Sequence, residues 1–129
     1  MAQIKIFGLK ESLGPVRQTL SDAIHSCVME ALDYPADKRF HRFIGLEREE
    51  FIYPPSRSER YTIIEINMFE GRSAPAKKKL IRLLFKKLEE TCGIGKDDLE
   101  ITIIESPRAN WGIRGLPGDE LELNYKVEV

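Results

Sequence analysis

The sequence contains an internal repeat with a constant offset of sixty residues. Shifting the first half by this offset places Pro15 on Pro75 and Ile44 on Ile104. The match continues without a gap over about fifty residues, which is typical of one supersecondary unit used twice. Both copies need similar residues to fold, so positions at which the halves differ sharply are candidates for function.

Each half predicts a strand, a helix and a second strand. β-branched and aromatic residues predict the strands, and apolar residues at spacings of three and four predict one amphipathic helix per half. We expect Pro15 and Pro75 to begin the helices, because the first helical position does not need the N–H that proline lacks. The predicted elements are strand 3–9, helix 15–34, strand 40–46, strand 61–69, helix 75–92 and strand 99–105.

The predicted fold class is α+β, with two tandem βαβ units in one domain over residues 1–129. Repeat copies 1–60 and 61–120 would form one four-stranded mixed sheet, with both helices on one face because the two crossovers have the same hand. Residues 47–60 are charged and rich in proline, which predicts a surface loop with a short hairpin. The alternating apolar residues of 121–129 predict a C-terminal strand with one buried face.

The second face of the sheet is also expected to be apolar. Ile63 and Phe69 of one strand, and Phe7 and Leu9 of another, point away from the helices. Soluble monomers rarely expose an apolar patch of this size, and burying one large side chain stabilises by roughly 1.5–3 kcal/mol. We therefore expect an obligate oligomer, with the strand 121–129 paired to a neighbouring subunit.

Composition and motifs limit the partners of the chain. Twenty basic and twenty-one acidic residues give a formal net charge of -1, which argues against a general nucleic-acid binder. The apolar runs are too short for a membrane span, and the first residues lack a secretory signal. Cys27 and Cys92 lack metal or redox spacing, which indicates reduced packing residues. The missing signal and the reduced cysteines predict a cytoplasmic protein. No metal or cofactor motif is found, so we predict that the protein uses neither.

Three short strings lie inside the repeat: Gly-Arg-Ser at 71–73, CGIGKDDLEITI at 92–103 and Asn-Trp-Gly at 110–112. With the doubled βαβ unit they resemble the tautomerase superfamily, and most closely its longer, fused-repeat members such as the malonate semialdehyde decarboxylases. The resemblance covers essentially the whole chain. It implies a fold like that of macrophage migration inhibitory factor and a homo-trimer. It also implies an active site around the start of the first strand.

The resemblance implies a catalytic N-terminal proline, which removal of the initiator methionine exposes. This chain begins Met1-Ala2-Gln3, and Ala2 takes the place of that proline. Ala2 is small enough for methionine removal, which would leave a primary amine with an ordinary pKa of about 7.7–8.0. Such an amine can act as a base or form an imine with a carbonyl substrate. The alternative is that this residue is simply the start of a strand.

Arg72 is the candidate carboxylate-binding residue. It precedes the second helix, where free N–H groups and the helix dipole favour an anion, and a guanidinium can hold a carboxylate by two hydrogen bonds. Its repeat counterpart is Ser12, so the fold does not need arginine at this turn. The resemblance also implies a carboxylate-binding arginine here, and a second one where this chain has Glu70. The alternative is a solvated surface arginine.

Trp111 and Arg114 complete the predicted site. The resemblance implies that Trp111 walls the pocket, where it would exclude water and strengthen nearby charges; core packing is the alternative. Arg114, in a glycine-rich loop, either brings a second cation to the site or is solvated. Lys38 stands where the resemblance implies a water-activating aspartate, which argues against transferring decarboxylase activity to this chain.

Three functions remain open from the sequence. The first is a keto-enol tautomerase that binds a small carboxylate-bearing carbonyl compound between subunits, with the Ala2 amine moving a proton between carbon and oxygen. The second is a non-catalytic family member that has lost the proline base and binds a metabolite or a partner. The third is a structural oligomer without a small-molecule site. As an enzyme, the protein would be an isomerase or a related decarboxylase.

Overall fold

A computed structural model describes residues 1–129, which form a four-stranded sheet, two long helical segments and a small separate hairpin. The elements in chain order are β1 (Ala2–Leu9), α1 (Lys10–Leu13), α2 (Arg17–Leu32), β2 (His41–Leu46), β3 (Thr62–Phe69), α3 (Ala74–Cys92), β4 (Leu99–Ser106), β5 (Gly112–Ile113) and β6 (Leu116–Pro117). The main sheet has the order β2-β1-β3-β4. β1 runs parallel to β2 and antiparallel to β3, and β3 runs parallel to β4. The predicted α+β fold of two βαβ units in one mixed sheet is confirmed.

The main core lies between the sheet and the two long helices. β1 and β3 show the same alternation of buried and half-buried residues, as a strand with one covered face should. Ile6 of β1 and Ile64 of β3 are fully buried, together with Leu20 of α2 and Leu80 of α3. One cluster of 20 buried residues joins both βαβ units. The two halves therefore share a core and fold as one body.

The helical region of the first half begins earlier than predicted. α1 starts at Lys10, and a 3₁₀ turn over Gly14–Val16 joins it to α2. The expectation that Pro15 begins the helix is wrong; its ring clashes with a preceding α-helical turn, so it interrupts the helix instead. α3 follows the prediction, since Pro75 lies in its first turn and the Ser73 hydroxyl caps it.

The face of the sheet opposite the helices is apolar in one row and charged in the next. Phe7 lies beside Ile63 on one neighbouring strand and Ile44 on the other. In the adjacent row, Lys5 lies beside Glu65. The expectation of an apolar second face therefore holds for only part of it.

Two further apolar clusters cover the ends of this face with the chain's own loops. One contains Leu9, Phe51 and Tyr61, and the other contains Met1, Phe69 and Val127. Leu9 and Phe69 had been expected on an exposed patch, but both are fully buried because residues after β2 and after β4 fold back over them. These residues are therefore not available to an oligomer interface.

Of the two elements predicted outside the repeat, the hairpin is wrong, and the strand is absent from the single chain. Residues 47–60 contain a 3₁₀ turn over Arg48–Glu50 instead of a hairpin, whereas β5 and β6 pair as a hairpin elsewhere. Residues 121–129 form no strand in the single chain. Their alternation is used differently: Val127 packs on Met1 and Phe69 without joining a sheet. Pairing of this tail with a neighbouring subunit stays a prediction.

Candidate functional site

The start of the chain and the turn after β3 lie together, because β1 and β3 are antiparallel. Ala2 faces Met68 in the register of the sheet, and the Phe69 N–H donates to the Met1 carbonyl oxygen at 3.2 Å. The chain then turns through Gly71, whose φ of 131° suits glycine. Antiparallel pairing thus brings the Gly-Arg-Ser turn beside the first two residues.

Arg72 lies within this turn and is buried, with 4 % of its surface exposed. Its Nη1 donates to the Phe69 carbonyl oxygen at 3.3 Å. Its Nε and Nη2 are buried and have no hydrogen-bond partner. Burial lowers the pKa of the guanidinium, opposed by Tyr125, Tyr34 and Glu105. The alternative of a solvated surface arginine is therefore wrong.

The N-terminal amino group is enclosed. Met1 is buried, and its amino group donates to the Tyr125 hydroxyl. Burial, together with the nearby positive charges of Arg72, Arg108 and Lys38, lowers the pKa of this amine from 8.0 to about 4. The amine is therefore neutral at pH 7, which is the protonation state that a base needs.

Two tyrosines that the sequence analysis did not single out border the first residues. The Ala2 N–H donates to the Tyr34 hydroxyl at 3.1 Å, and the rings of Tyr34 and Tyr125 meet edge to face at 5.2 Å. Burial raises the pKa of both phenols, so they stay protonated. The repeat offered a signal for Tyr34, since its counterpart is Ile94. Tyr125 lies outside the repeat and offered none.

Trp111 and Arg108 form an aromatic and cationic wall around Phe69, which packs with Met1. Trp111 meets Phe69 edge to face at 5.1 Å, and its Nε1 donates to the Ser106 hydroxyl at 2.9 Å. The Arg108 guanidinium lies 5.4 Å from the centre of the Phe69 ring and donates to the carbonyl oxygens of Gly118 and Leu121. Trp111 is half-buried and belongs to the wall around Met1, whereas Arg108 was not foreseen.

A pocket of about 230 Å³ opens beside Met1. Lys38, Arg114 and Tyr125 line it, together with residues of the tail. Because both residues line this pocket, Lys38 and Arg114 lie at the mouth of the site. Arg114 has a φ of 51°. Arg72 does not line this pocket and lies deeper. The structure thus brings every predicted site residue to one region, with Met1 at its centre.

A larger pocket of about 340 Å³ lies at the other end of the sheet, around Tyr61 and Ser12. These are the repeat counterparts of Met1 and Arg72. Arg60 lines this pocket, but its Nη1 donates to the Gly93 carbonyl oxygen at 2.9 Å. This end therefore offers no buried arginine without partners. No group of three or more His, Cys, Asp or Glu side chains is placed to hold a metal ion.

Comparison with known proteins identifies the family of this chain. A family model described as "Tautomerase enzyme" matches residues 38–114, a span that includes Arg72, Trp111 and Arg114 but not Ala2. This match and the fold together define a member of the tautomerase superfamily. Because the match covers more than half of the chain, the protein belongs to this tautomerase family.

Curated relatives carry the same name. The "Probable tautomerase YrdN" of Bacillus subtilis (strain 168) is 29% identical over 97 residues, which cover 71% of this chain and 74% of the relative. The 2-hydroxymuconate tautomerase of Comamonas testosteroni is 37% identical over 57 residues, 44% of this chain and 90% of the relative.

Solved structures share the fold. A malonate semialdehyde decarboxylase matches with a TM-score of 0.79 and 24% identity, over 89% of this chain and 93% of its own. A fused 4-OT described as an asymmetric trimer matches with a TM-score of 0.79 and 15% identity, over 91% and 96%. These likenesses show the fold alone. None of the helices of this chain has the length and apolar character needed to cross a bilayer.

Proposed function

We propose that this protein is a keto-enol tautomerase for a small carbonyl compound bearing a carboxylate, and that it works after the initiator methionine has been removed. The observation that carries the proposal is the buried Arg72 beside the first residues, with two nitrogens that have no partner. A buried charge without partners costs free energy, and a carboxylate bound to both nitrogens would offset that cost.

Met1 occupies the space that a ligand would need. Its side chain packs with Phe69 and Val127, its carbonyl oxygen accepts from the Phe69 N–H, and its amino group donates to the Tyr125 hydroxyl. Removing Met1 would free an apolar wall, a backbone donor and a phenol at the same place. It would also leave the Ala2 amine among them.

In the processed chain, the Ala2 amine would be the base. Ala2 is buried and adjoins Met1, whose amine has its pKa lowered by burial and then by nearby cations, so we expect the Ala2 amine to be neutral at pH 7 as well. It would take the proton of the enol hydroxyl and then give a proton to carbon, which returns the amine to its neutral form. Arg72 would hold the carboxylate, Trp111 would exclude water, and Lys38 and Arg114 would attract the anion to the mouth.

The proposed assembly is a cytoplasmic homo-trimer with the site at a seam between subunits. Support comes from the fused 4-OT, which is described as a trimer, and from the partly apolar face of the sheet.

One observation favours the second function, a non-catalytic binding protein. If Met1 is retained, it fills the site and engages Tyr125.

Two measurements test the proposal. The intact mass of the purified protein reports whether Met1 is removed. Ketonisation of phenylenolpyruvate reports turnover, which we expect to be lost in Arg72→Ala and increased in Ala2→Pro. Arg82→Ala, which removes an exposed arginine of α3, serves as the control and should not change the rate. A retained methionine with no turnover would leave the non-catalytic function in place of the tautomerase.

A further inference from the structure

We infer that Tyr34 is a positioning residue for the Ala2 amine. Its hydroxyl accepts from one N–H of that amine and so leaves the nitrogen lone pair free to face the space that Met1 occupies. The inference rests on the proposed function, because it requires a chain that begins at Ala2.

The covalent geometry of Ala2 carries the inference. In the full chain its nitrogen bears its own Cα, the Met1 carbonyl carbon and one hydrogen, which points to the Tyr34 oxygen 3.1 Å away. Pairing of Ala2 with Met68 in the sheet fixes the Cα. When Met1 is removed, the direction of the lost N–C bond becomes free, and it points to the cluster around Phe69. With one hydrogen held by Tyr34, the second hydrogen and the lone pair share the two remaining positions on the nitrogen, one of which faces the vacated space; the Tyr34 contact thus restricts the amine to orientations in which the lone pair is not turned toward Tyr34.

Tyr34 is itself held in place. It follows the end of α2, its N–H donates to the Met29 carbonyl oxygen at 3.3 Å, and 5 % of its surface is exposed. Its ring packs edge to face against Tyr125. A hydroxyl on a buried, packed ring has little freedom, so it can fix the rotation of an amine that would otherwise turn about its Cα–N bond.

The repeat indicates that folding does not require the hydroxyl of Tyr34. The counterpart of Tyr34 is Ile94, which is also buried and belongs to the same main core. The fold therefore needs an apolar body at this position but not a hydroxyl. Tyr125 differs from Tyr34, because it contacts the Met1 amine and not the Ala2 nitrogen.

The test uses protein that begins at Ala2, obtained by natural processing or by cleaving an N-terminal fusion. Tyr34→Phe removes only the hydroxyl. Tyr61→Phe is the matched control, because Tyr61 is also buried and its hydroxyl donates to Glu100 at the other end of the sheet. The pKa of the Ala2 amine is measured from the pH dependence of its reductive methylation, and kcat and KM are measured with phenylenolpyruvate.

The Tyr34 oxygen accepts a hydrogen bond and so stabilises the ammonium form of the amine. We therefore expect Tyr34→Phe, which lacks this acceptor, to lower the pKa of the amine. We expect kcat to fall by about ten- to a hundredfold, with little change in KM, since the amine loses its orientation while Arg72 still binds the carboxylate. Tyr61→Phe should change none of these values. Should Tyr34→Phe fold poorly, Tyr34→Ile introduces the residue that the repeat counterpart already tolerates.

Two results would overturn the inference. One is a folded Tyr34→Phe protein whose amine pKa and kcat equal those of the parent. The other is an equal loss in Tyr61→Phe, which would indicate a general packing effect. A parent chain that begins at Ala2 and shows no turnover would overturn the proposed function, while the amine titration would still decide whether Tyr34 holds the amine.

Discussion

At the scale of single residues, Arg72 is where stability and binding oppose each other. Its guanidinium is buried, and only one of its three nitrogens has a partner in the protein. An unsatisfied buried donor destabilises a fold by about 1–3 kcal/mol. A residue kept under such conditions is best explained by a ligand that completes its hydrogen bonds, since its repeat counterpart Ser12 shows that the turn forms without arginine.

Replacing Arg72 by methionine should therefore stabilise the protein and abolish carboxylate binding. We expect Arg72→Met to raise the free energy of unfolding by about 1 kcal/mol, because two unpaired donors and a buried charge are removed. Thermal unfolding with and without malonate measures both effects: malonate should raise the Tm of the parent but not of the variant. The exposed Arg82→Met should keep the malonate effect. A less stable Arg72→Met protein would contradict the interpretation of Arg72 as an unsatisfied charge.

His41 makes the stability of the fold depend on pH. Its Nδ1 lies 2.7 Å from the Ser21 hydroxyl, and burial lowers its pKa from 6.5 to about 4, helped by His25 and Arg39. Between these two values the unfolded chain binds more protons than the folded chain. Stability therefore falls as the pH drops from about 6.5 to 4 and is flat, for this group, above 6.5.

His41→Gln should flatten this dependence, because glutamine fills the position without titrating. Urea unfolding at pH 4.5 and pH 7 gives the difference in free energy for the parent and the variant. Where Met1 is retained, its amine contributes in the same direction between pH 8 and 4, and comparing the two proteins cancels its contribution. Equal differences in both proteins would show that His41 does not titrate in this window.

At the scale of elements, the two long helices end in the same way sixty residues apart. Asp33 after α2 and Gly93 after α3 both adopt the left-handed conformation, with φ of 50° and 68°. This conformation strains a residue with a Cβ by roughly 1–2 kcal/mol, whereas glycine adopts it freely. The repeat has thus kept the backbone of the helix end while changing the residue.

We predict that Asp33→Gly raises the free energy of unfolding by about 0.5–1 kcal/mol. The variant relieves the backbone strain, but part of this gain is offset because glycine increases the entropy of the unfolded chain. Gly93→Asp should lower it by about 1 kcal/mol, because the new Cβ is strained and displaces the Arg60 side chain. Urea unfolding measures both. Glu30 lies in the last turn of α2, where the backbone is right-handed. Glu30→Gly should therefore destabilise the protein by about 1 kcal/mol. Stabilisation by Glu30→Gly as well would rule out backbone strain as the cause.

Sequence patterns predicted the elements whose local and tertiary requirements agree. The alternation of β1 and β3 and the apolar stripe of α3 each have one covered face, so their boundaries were close. The helix start near Pro15 was wrong because four residues before it form a separate short helix. Residues 121–129 form no strand in the single chain, because period-two burial is also met by an extended segment packed on side chains; their pairing with a neighbouring subunit stays a prediction.

In the site, too, the sequence identified some residues and missed others. Arg72 was identified because the repeat places a serine at the equivalent turn. Arg108 was missed because its counterpart, Arg48, is also arginine; only the surroundings differ, with Arg48 paired to Glu11 and Glu59 on the surface. A difference between halves thus reveals a change of residue, but not a change in what an identical residue contacts.

At the scale of the whole molecule, the repeat produces two ends of similar construction and different chemistry. The clusters around Met1 and around Tyr61 are built from equivalent positions, with Phe69 matching Leu9 and Trp111 matching Phe51. The Met1 end adds Arg72 and the chain terminus to this frame. Function is therefore proposed at one end, while the other end shows what folding alone requires.

The open face of the sheet is where we expect copies of the chain to associate. Ile104 lies on this face in β4, beside Asn67, and is 44% exposed in the single chain. As a large apolar residue on an edge strand it gains by burial against another copy, at roughly 25 cal/mol per Å². We expect the parent to sediment at three times the 14.8 kDa of the chain.

Ile104→Lys should shift this equilibrium to the monomer at micromolar concentration, because a charge on the open face would lose its hydration on association. The edge position tolerates lysine, so the single chain should keep its fold and its circular dichroism spectrum. Ile52→Glu, in a loop where the side chain is 91% exposed, should leave the assembly unchanged. With the site at a seam between subunits, turnover should fall together with the mass; a monomeric and fully active Ile104→Lys protein would instead place the whole site within one chain.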